Sequence, residues 1–364
     1  MGAFFMYGTN KYTCKIYLGE FLMLQIKELS IPGYYRVARG INKETGLDAI
    51  IAVHSITLGK ALGGCRIMHY NSYEEQLQDA LNLSKGMTYK SSAAGLDLGG
   101  GKTTINWSGP LTEEIASSFG EFINKFNEEE NIYMTAGDIG TGLAECEMIS
   151  KYTSHIQGSQ GDLDSGWATA YGVFMAMQGV IKYKGLRWKK IHVAVNGLGK
   201  VGARLARFLV GAGCRVTVAD INQAAAIKLC DELGCDMASH IDIHSIDCDV
   251  YAPCAIGGAI NADTVKELNC SIVCGGANNQ LATPDMIDIL ESKNIFYVPD
   301  YIANAGGVII VTAIGSELVD LEYSNPKVIS KLNAICDIVE LITANHRMGT
   351  NSVKSANQIA ENRL

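Results

Sequence analysis

Hydrophobic positions along this chain recur with two different periods, and the change between them marks out its elements. Asp48 to Val53 (D-A-I-I-A-V) is a short apolar run rich in β-branched residues and reads as a strand. From Tyr73 the pattern turns helical: Leu77 and Leu81, with Ser84 or Met87, share one stripe while charged residues take the opposite face. The spacing puts Lys90 just past that helix. Thr112 to Phe126 predicts a second amphipathic helix, with Thr112 as its cap and Glu113 and Glu114 at the positive end of the helix dipole.

A composition shift follows near Ile156, where Gln157-Gly158-Ser159-Gln160-Gly161-Asp162 is a polar, glycine-rich linker. Beyond it strands and helices alternate. Ile191 to Val195 and Arg215 to Ala219 read as strands, Lys200 to Val210 and Gln223 to Leu233 as helices, and Asp249 to Tyr251, Ser271 to Cys274 and Ile295 to Val298 as further short strands. Such alternation predicts a doubly wound, Rossmann-type parallel sheet covered by helices on both faces. The expected class is therefore α/β with two domains: an N-terminal α/β domain, the Rossmann-type domain, and an interdomain cleft.

Length and composition narrow the reading. The 364 residues are enough for two domains with a core each, and 48% apolar residues suit a globular chain. A formal charge of -8, with no basic stripe, argues against nucleic acid or anionic lipid as the main partner. The longest uncharged apolar run, Tyr301 to Gly315, is too short to span a bilayer and reads as one buried helix. Lys11 and Lys15 break the N-terminal apolar segment, so a secretory signal is not expected; Met23 can be the functional start, leaving residues 1–22 as an N-terminal extension. Eleven cysteines without a C-x-x-C pair suggest neither a disulfide framework nor a zinc ribbon, and the expectation is reduced thiols in a cytoplasmic protein.

Two glycine-rich stretches carry candidate chemistry. Gly95 to Ile105 (G-L-D-L-G-G-G-K-T-T-I) holds a lysine behind three glycines; it matches the second half of a P-loop, but Leu96 stands where the leading glycine belongs. The alternatives are a solvated glycine turn and a loop that presents Lys102 for other chemistry. The second stretch is a full G-x-G-x-x-G, namely Gly197, Leu198, Gly199, Lys200, Val201 and Gly202, between a predicted strand and its helix. There the glycines permit a tight turn and close backbone approach, and the helix N-terminus faces a pyrophosphate. Asp220 ends the next strand about twenty residues on, where a carboxylate accepts from ribose hydroxyls. Like charge at that point repels a 2′-phosphate, so NAD is expected as the cofactor rather than NADP.

With a dinucleotide domain placed second, several further blocks acquire meaning: T-L-G-K-A-L-G-G-C-R (57–66), G-M-T-Y-K (86–90), G-L-D-L-G-G-G-K (95–102), D-I-G-T (138–141), Y-A-P-C-A (251–255), G-A-N-N-Q-L (276–281) and P-D-Y-I-A-N-A-G-G-V (299–308). In this order they resemble the glutamate/leucine/phenylalanine/valine amino acid dehydrogenase family, most closely its leucine dehydrogenase branch, from about Met23 to Leu364.

The resemblance implies NAD-dependent, reversible oxidative deamination of an L-amino acid to a 2-oxo acid and ammonia. Lys102 resembles the family's catalytic lysine, which must be partly neutral to activate water; desolvation and a second cation both favour that form. Lys90, which matches the carboxylate-binding lysine, is the expected second cation. Asp138 matches the aspartate that relays protons to the leaving amine, and Asn279 the asparagine that fixes the amino-acid end of the substrate and adjoins the cofactor. Leu62, Gly63, Ala136, Val308 and Val311 resemble the substrate pocket. Its side chains are apolar, with no cation near Leu62 for a distal carboxylate, so a branched-chain aliphatic amino acid is expected over glutamate. An aromatic amino acid, phenylalanine or tryptophan, is the alternative. Thr169, Cys254 and Ala255 join the dinucleotide turn as cofactor contacts, with Cys254 a buried thiol rather than a nucleophile.

The same resemblance implies a substrate and oligomerisation domain over 23–158, to which a C-terminal helix (335–364) returns, an NAD domain over 159–334, and a closed homo-oligomer. Two departures leave room for a catalytically decayed, NAD-binding regulatory relative. Gly137 replaces the family's usual glutamate, which is expected to loosen the local turn, and the Gly161 to Ala170 segment lacks the usual proline. Trp167 reads as a packing anchor rather than a substrate contact. His240 and His244 lack a third ligand, so no metal is expected.

Overall fold

The computed structural model describes residues 24–158, 165–314 and 325–364; the proposed extension 1–22, most of the polar linker and the first residues of the 161–170 segment lie outside them. The chain forms two compact units. The first comprises the described residues of Met1–Thr88 and Asp97–Gly161, the second those of Tyr89–Leu96 and Asp162–Leu364. Tyr89–Leu96 and the C-terminal helices thus group with the second unit, rather than the chain dividing at one point near 158.

The first unit contains β1 (Leu24–Leu29), β2 (Arg36–Asn42), β3 (Leu47–Ser55), β4 (Ala61–Met68), most of α1 (Tyr73–Ala93), β5 (Gly99–Asn106), α2 (Glu113–Phe126), β6 (Tyr133–Gly137) and α3 (Leu143–Ser150). Its six-stranded sheet runs in the order β1-β2-β3-β5-β4-β6. Strands β1, β2, β3 and β5 pair antiparallel, whereas β4 runs parallel to both β5 and β6. The α2 periodicity produces one buried face, with Ile115, Phe119, Phe122, Ile123 and Phe126 packed against β2, β3 and β4 residues. Thr112 caps it as expected, its side chain accepting from the Ile115 amide. Leu77, Ala80 and Leu81 of α1 cover Val37, Ile50 and Ala52, so the sheet is buried on both faces at its centre.

A correction follows for Gly95 to Ile105, which is neither a phosphate loop nor a presenting loop: from Gly99 onward it is strand β5, between β3 and β4. The three glycines are needed because neighbours crowd them. A methyl on Gly99 would lie 2.0 Å from the Ser55 carbonyl oxygen, on Gly100 2.1 Å from the Thr88 amide nitrogen, and on Gly101 2.5 Å from the Tyr133 ring. Helix α1 therefore sits directly on β5 through buried Ser84 and Thr88, which explains polar residues on its inner face.

The second unit contains the end of α1, then α4 (Ser165–Tyr183), β7 (His192–Asn196), α5 (Gly202–Gly211), β8 (Arg215–Ala219), α6 (Gln223–Leu233), β9 (Asp236–Met237), β10 (Val250–Pro253), α7 (Thr264–Glu267), β11 (Ile272–Val273), α8 (Met286–Ser292), β12 (Phe296–Tyr297), α9 (Asp300–Ala303), α10 (Gly306–Ile314), α11 (Pro326–Arg347) and α12 (Ser352–Glu361). Its sheet is wholly parallel, in the order β12-β11-β10-β7-β8-β9. That is the doubly wound order of dinucleotide folds, in which successive crossovers reverse direction between β7 and β10 and leave a crevice at their carboxyl ends.

Two helix expectations need correction. Lys90 lies within α1, which continues to Ala93. The apolar run from Tyr301 is not one helix: it breaks between α9 and α10, where Gly306 lets the chain approach the Ala168 carbonyl of α4, a methyl there falling 1.9 Å from that oxygen. Trp167 is an anchor as expected, stacked on Tyr171 at 5.3 Å and edge-on to Phe208.

Candidate active site

In the first unit the site is built across three neighbouring parallel strands. Lys102 lies on β5, Gly63, Gly64 and Arg66 on β4, and Asp138 immediately follows β6. Lys102 is almost fully buried at 5% exposure, and its Nζ donates to Asp138 Oδ2 at 2.5 Å. Arg66 Nε donates to the same oxygen at 3.1 Å. Small residues make this possible. A methyl on Gly64 would lie 2.7 Å from Asp138 Cβ and 3.1 Å from Lys102 Nζ, and one on Gly63 only 1.6 Å from the Gly101 carbonyl oxygen. Gly63 thus serves the close packing of β4 on β5, while Leu62 of β4 is buried and Ala136 of β6 half-buried.

Burial pushes the Lys102 ammonium below the ordinary lysine range; Asp138 opposes this and Arg66 adds to it. Burial would raise the Asp138 carboxyl, but Lys102 and Arg66 outweigh it and hold it below the usual range. The pair is thus a lysine biased toward losing its proton beside a carboxylate that stays ionised. Within this unit a cation acting on Lys102 is Arg66. Arg66 ends the 57–66 block, and its alternation with Gly64 along a strand was the available signal.

Asp138 opens a tight turn. The Asp138 and Thr141 amides and carbonyls bond reciprocally at 3.2 and 3.0 Å, and Thr141 Oγ1 donates to the Cys65 carbonyl at 2.7 Å. Gly137 packs closely on it: a methyl at that position would lie 2.8 Å from the Thr141 carbonyl oxygen.

In the second unit Lys90, in the last turn of α1, donates from Nζ to Asn278 Oδ1 at 3.4 Å, and Asn304 Nδ2 donates to the same oxygen at 2.8 Å. Asn279 itself holds a left-handed conformation, φ 51°, with its amide donating to the Asp300 carboxylate. Burial raises the Asp300 carboxyl, with Lys90 opposing. Asn278, Asn304 and Asp300 were unassigned in the sequence, although all three lie inside the matching blocks. On α10, Val308 and Val311 share a half-buried face while Ile309 and Ile310 are buried, so the two valines are not plain core.

The dinucleotide turn lies where β7 ends. Gly197 takes φ 97° and packs on Ala255, which follows β10: a methyl on Gly197 would lie 2.7 Å from the Ala255 amide. A methyl on Gly202 would lie 1.8 Å from the Gly197 carbonyl oxygen and 3.1 Å from Cys254 Cβ. Gly276 closes against Val201 and Cys254, whose thiol burial pushes up to about 12. The fold thus brings Gly197, Val201, Gly202, Cys254 and Ala255 together. Gly199 differs, because a methyl there would meet nothing within 4 Å, and α5 has no side-chain cap on its first turn. Uncapped amides beside a glycine with open space fit a pyrophosphate. Asp220 accepts from the Leu198 amide at 2.6 Å and the Asn222 amide at 2.7 Å, which fixes its carboxylate at the edge of the turn. Thr169 Oγ1 donates to the Ser165 carbonyl and would lie 2.8 Å from a methyl on Gly307. Lys200 is exposed beside the turn.

His244 pairs with Glu267 at 2.7 Å in a turn rather than on a helix, and the candidate metal group found among the described residues, Cys336, Asp337 and Glu340, does not include it. Glu340 of that group is already bonded to Lys182 at 2.6 Å.

A doubly wound sheet with a glycine turn open to a pyrophosphate, in a chain that also buries a lysine against a carboxylate, defines a nicotinamide-dependent dehydrogenase. Comparison with known proteins is more specific: residues 34–155 match the Glu/Leu/Phe/Val dehydrogenase dimerisation domain, and 160–242 with 222–364 match the Glutamate/Leucine/Phenylalanine/Valine dehydrogenase domain. The chain belongs to this family. It is 40% identical over 332 residues to leucine dehydrogenase of Geobacillus stearothermophilus, covering 89% of this chain and 88% of that protein. It is 39% identical over 338 residues to phenylalanine dehydrogenase of Caldalkalibacillus thermarum, covering 88% of each. Among solved structures, L-tryptophan dehydrogenase from Nostoc punctiforme superposes with a TM-score of 0.79 at 32% identity, over 91% of this chain and 96% of that one.

Proposed function

We propose that this protein is an NAD-dependent L-amino acid dehydrogenase, similar to leucine dehydrogenase, that reversibly deaminates a branched-chain aliphatic L-amino acid to its 2-oxo acid and ammonia. The observation that carries the reading is the buried Lys102 in contact with Asp138, held beside a second cation. Bound at the glycine turn, the nicotinamide cofactor supplies a hydride acceptor for the substrate Cα. The chain's own residues manage protons and orientation. Lys102, biased toward the neutral amine, removes a proton from the water that attacks the iminium carbon, and Asp138, ionised at rest and in contact with Lys102, takes up that proton and relays it to the departing amine. Lys90 offers a cation for the substrate carboxylate, with Asn279 fixing the amino-acid end. Leu62, Ala136, Val308 and Val311 provide apolar contacts for the side chain, with Gly63 adjoining Leu62 in the pocket.

Gly197 to Gly202, Cys254, Ala255, Thr169 and Asn279 are proposed to hold NAD. Asp220 favours it over NADP, since its fixed carboxylate repels a 2′-phosphate. We assign residues 23–158 to substrate binding and assembly and 159–334 to NAD. A return of residues 335–364 to the former rests on the resemblance; within the second unit Ser92 Oγ donates to the Ala360 carbonyl and Arg363 to the Ser92 and Leu96 carbonyls. A homo-oligomer is supported by the description of the matched domain as a dimerisation domain. No helix of the described residues is long and apolar enough to cross a membrane, and the ten cysteines among them are free thiols, which supports a cytoplasmic setting.

The aromatic alternative draws support from the phenylalanine and tryptophan relatives. NADH formation with leucine, valine, phenylalanine, tryptophan and glutamate separates the readings; no turnover on any of them while NADH still binds would favour the regulatory one. Lys102→Ala is expected to keep NADH affinity and to lose at least about 10²-fold in kcat/KM, the order expected for a general base. Since burial lowers the Lys102 proton affinity, the rate of deamination should rise with pH through a limb lying below about 10.4, the ordinary lysine value. Unchanged turnover in the variant would remove the assignment.

A further inference from the structure

We propose that Arg66 is a positioning residue of this reaction, clamped between two carboxylates so that it holds Asp138 against Lys102 without taking its place. The inference rests on the reading of Lys102 as the general base and names a group that this reading does not supply.

The geometry is two-sided. On one side Arg66 Nε donates to Asp138 Oδ2 at 3.1 Å. On the other, Nη1 donates to both Asp79 oxygens at 3.1 and 3.3 Å, and Tyr70 Oη donates to Asp79 Oδ2 at 2.7 Å. The guanidinium is therefore gripped by β4, by α1 through Asp79, and by the turn after β6, and only 12% of its side chain is exposed. A planar fork in this setting cannot swing without losing several charge-assisted hydrogen bonds. The result is a chain of contacts, Lys102 to Asp138 to Arg66 to Asp79 to Tyr70, in which Asp138 Oδ2 receives two donors and the Lys102 amine only one acceptor.

The charges that face this group are few. Lys102, Arg66, Asp138 and Asp79 carry the formal charges, and Cys65 on β4, Cys146 on α3, Tyr70 and Tyr133 on β6 are the other titratable side chains felt within the cluster. Burial pushes the Cys65 thiol to about 12 and the two tyrosines above their usual range, so all of these stay neutral at working pH. Among the described residues, and with Lys102 protonated, two positive and two negative charges remain. Removing the guanidinium leaves Lys102 facing two carboxylates, which would hold its proton; replacing it by an ammonium keeps the charge and loses the fork.

The test is a titration of Lys102 in the full-length protein, followed by the Cε resonance of ¹³C-labelled lysine, in the native protein, Arg66→Gln and Arg66→Lys, with initial rates measured in parallel. In Arg66→Gln the midpoint should move upward by about one unit, and the acid limb of the deamination profile should move with it. In Arg66→Lys the midpoint should stay near the native value while kcat falls by about tenfold or more, as expected when orientation alone is loosened. An unmoved midpoint in Arg66→Gln overturns the inference whatever the rates show. So does a native kcat in Arg66→Lys. If Arg66→Gln does not fold, Arg66→Lys decides: a midpoint moved as far as about one unit would show that charge and geometry cannot be separated and would overturn the inference. Absence of turnover in the native protein, with the midpoint moving as described, would instead sink the dehydrogenase reading and leave the clamp standing.

Discussion

Lys102 shows how much of a side chain's chemistry is set by residues that have none. Its burial depends on Gly63, Gly64 and the three glycines of β5, each occupying a place where a methyl would strike backbone, a ring or a functional group. The crowding differs sharply between glycines, and that difference is testable. Gly100→Ala would put a methyl 2.1 Å from the Thr88 amide, against helix backbone that has no free space to yield. We expect a loss of about 1–3 kcal/mol or more in urea melts, as in other overpacked cores. Gly86, on the exposed side of the same helix, has nothing within 4 Å of the added methyl. Gly86→Ala should therefore gain about 0.5–1 kcal/mol from helix propensity. Equal losses in the two variants would mean that α1 does not rest on Gly100. At this scale the sequence was informative only where a residue type is rare for its context. Lys102 behind three glycines stood out, whereas Arg66 and Asp300 did not, because arginine and aspartate are common on surfaces and only burial makes them unusual here.

Elements impose a different constraint: a motif is legible when it is local. The turn between β7 and α5 is six residues long, and its glycines have separate reasons. Gly202 is required by the Gly197 carbonyl, whereas Gly199 has no protein neighbour to require it. Hence Gly202→Ala should destabilise the second unit's sheet and lower the melting temperature. Gly199→Ala should leave the melting temperature within about 1 °C of the native value, the equivalent of a few tenths of a kcal/mol, yet weaken NADH binding about tenfold or more by filling space at the helix N-terminus. Fluorescence titration with NADH together with thermal melts distinguishes them; a Gly199→Ala protein with native affinity would argue that the pyrophosphate lies elsewhere. Strand β5 is the opposite case. Its sequence carries a loop's composition, and nothing within those eight residues says that it will be inserted between β3 and β4. The apolar run that became α9 and α10 was misjudged for a related reason, since the break is imposed by contact of Gly306 with α4.

For the molecule as a whole, the discrimination between nicotinamides should appear in stability. A ligand at free concentration L that binds only the folded protein stabilises it by RT ln(1 + L/Kd), so the tighter ligand raises the melting temperature further at equal concentration. NADH should raise it by several degrees and NADPH by less at equal concentration, because Asp220 is fixed on the Leu198 and Asn222 amides and cannot turn away from a 2′-phosphate. Equal shifts with the two nucleotides would sink that argument. The sequence by itself determined the alternation of strands and helices in the second unit and its doubly wound class, because these depend on periodicity and on short spacings that the chain cannot escape. Blocks matching the amino acid dehydrogenase family carried Lys90, Lys102 and Asp138. Tertiary structure alone decided which of them meet. Lys102 and Asp138 are 36 residues apart and Arg66 and Asp138 are 72 apart, joined by a strand order that mixes antiparallel and parallel pairing. It also set Arg66 on Asp138 within the first unit and Lys90 against Asn278 within the second. Side-chain period fixes which face of a strand is buried; which strand lies beside which is settled only by how the whole core packs.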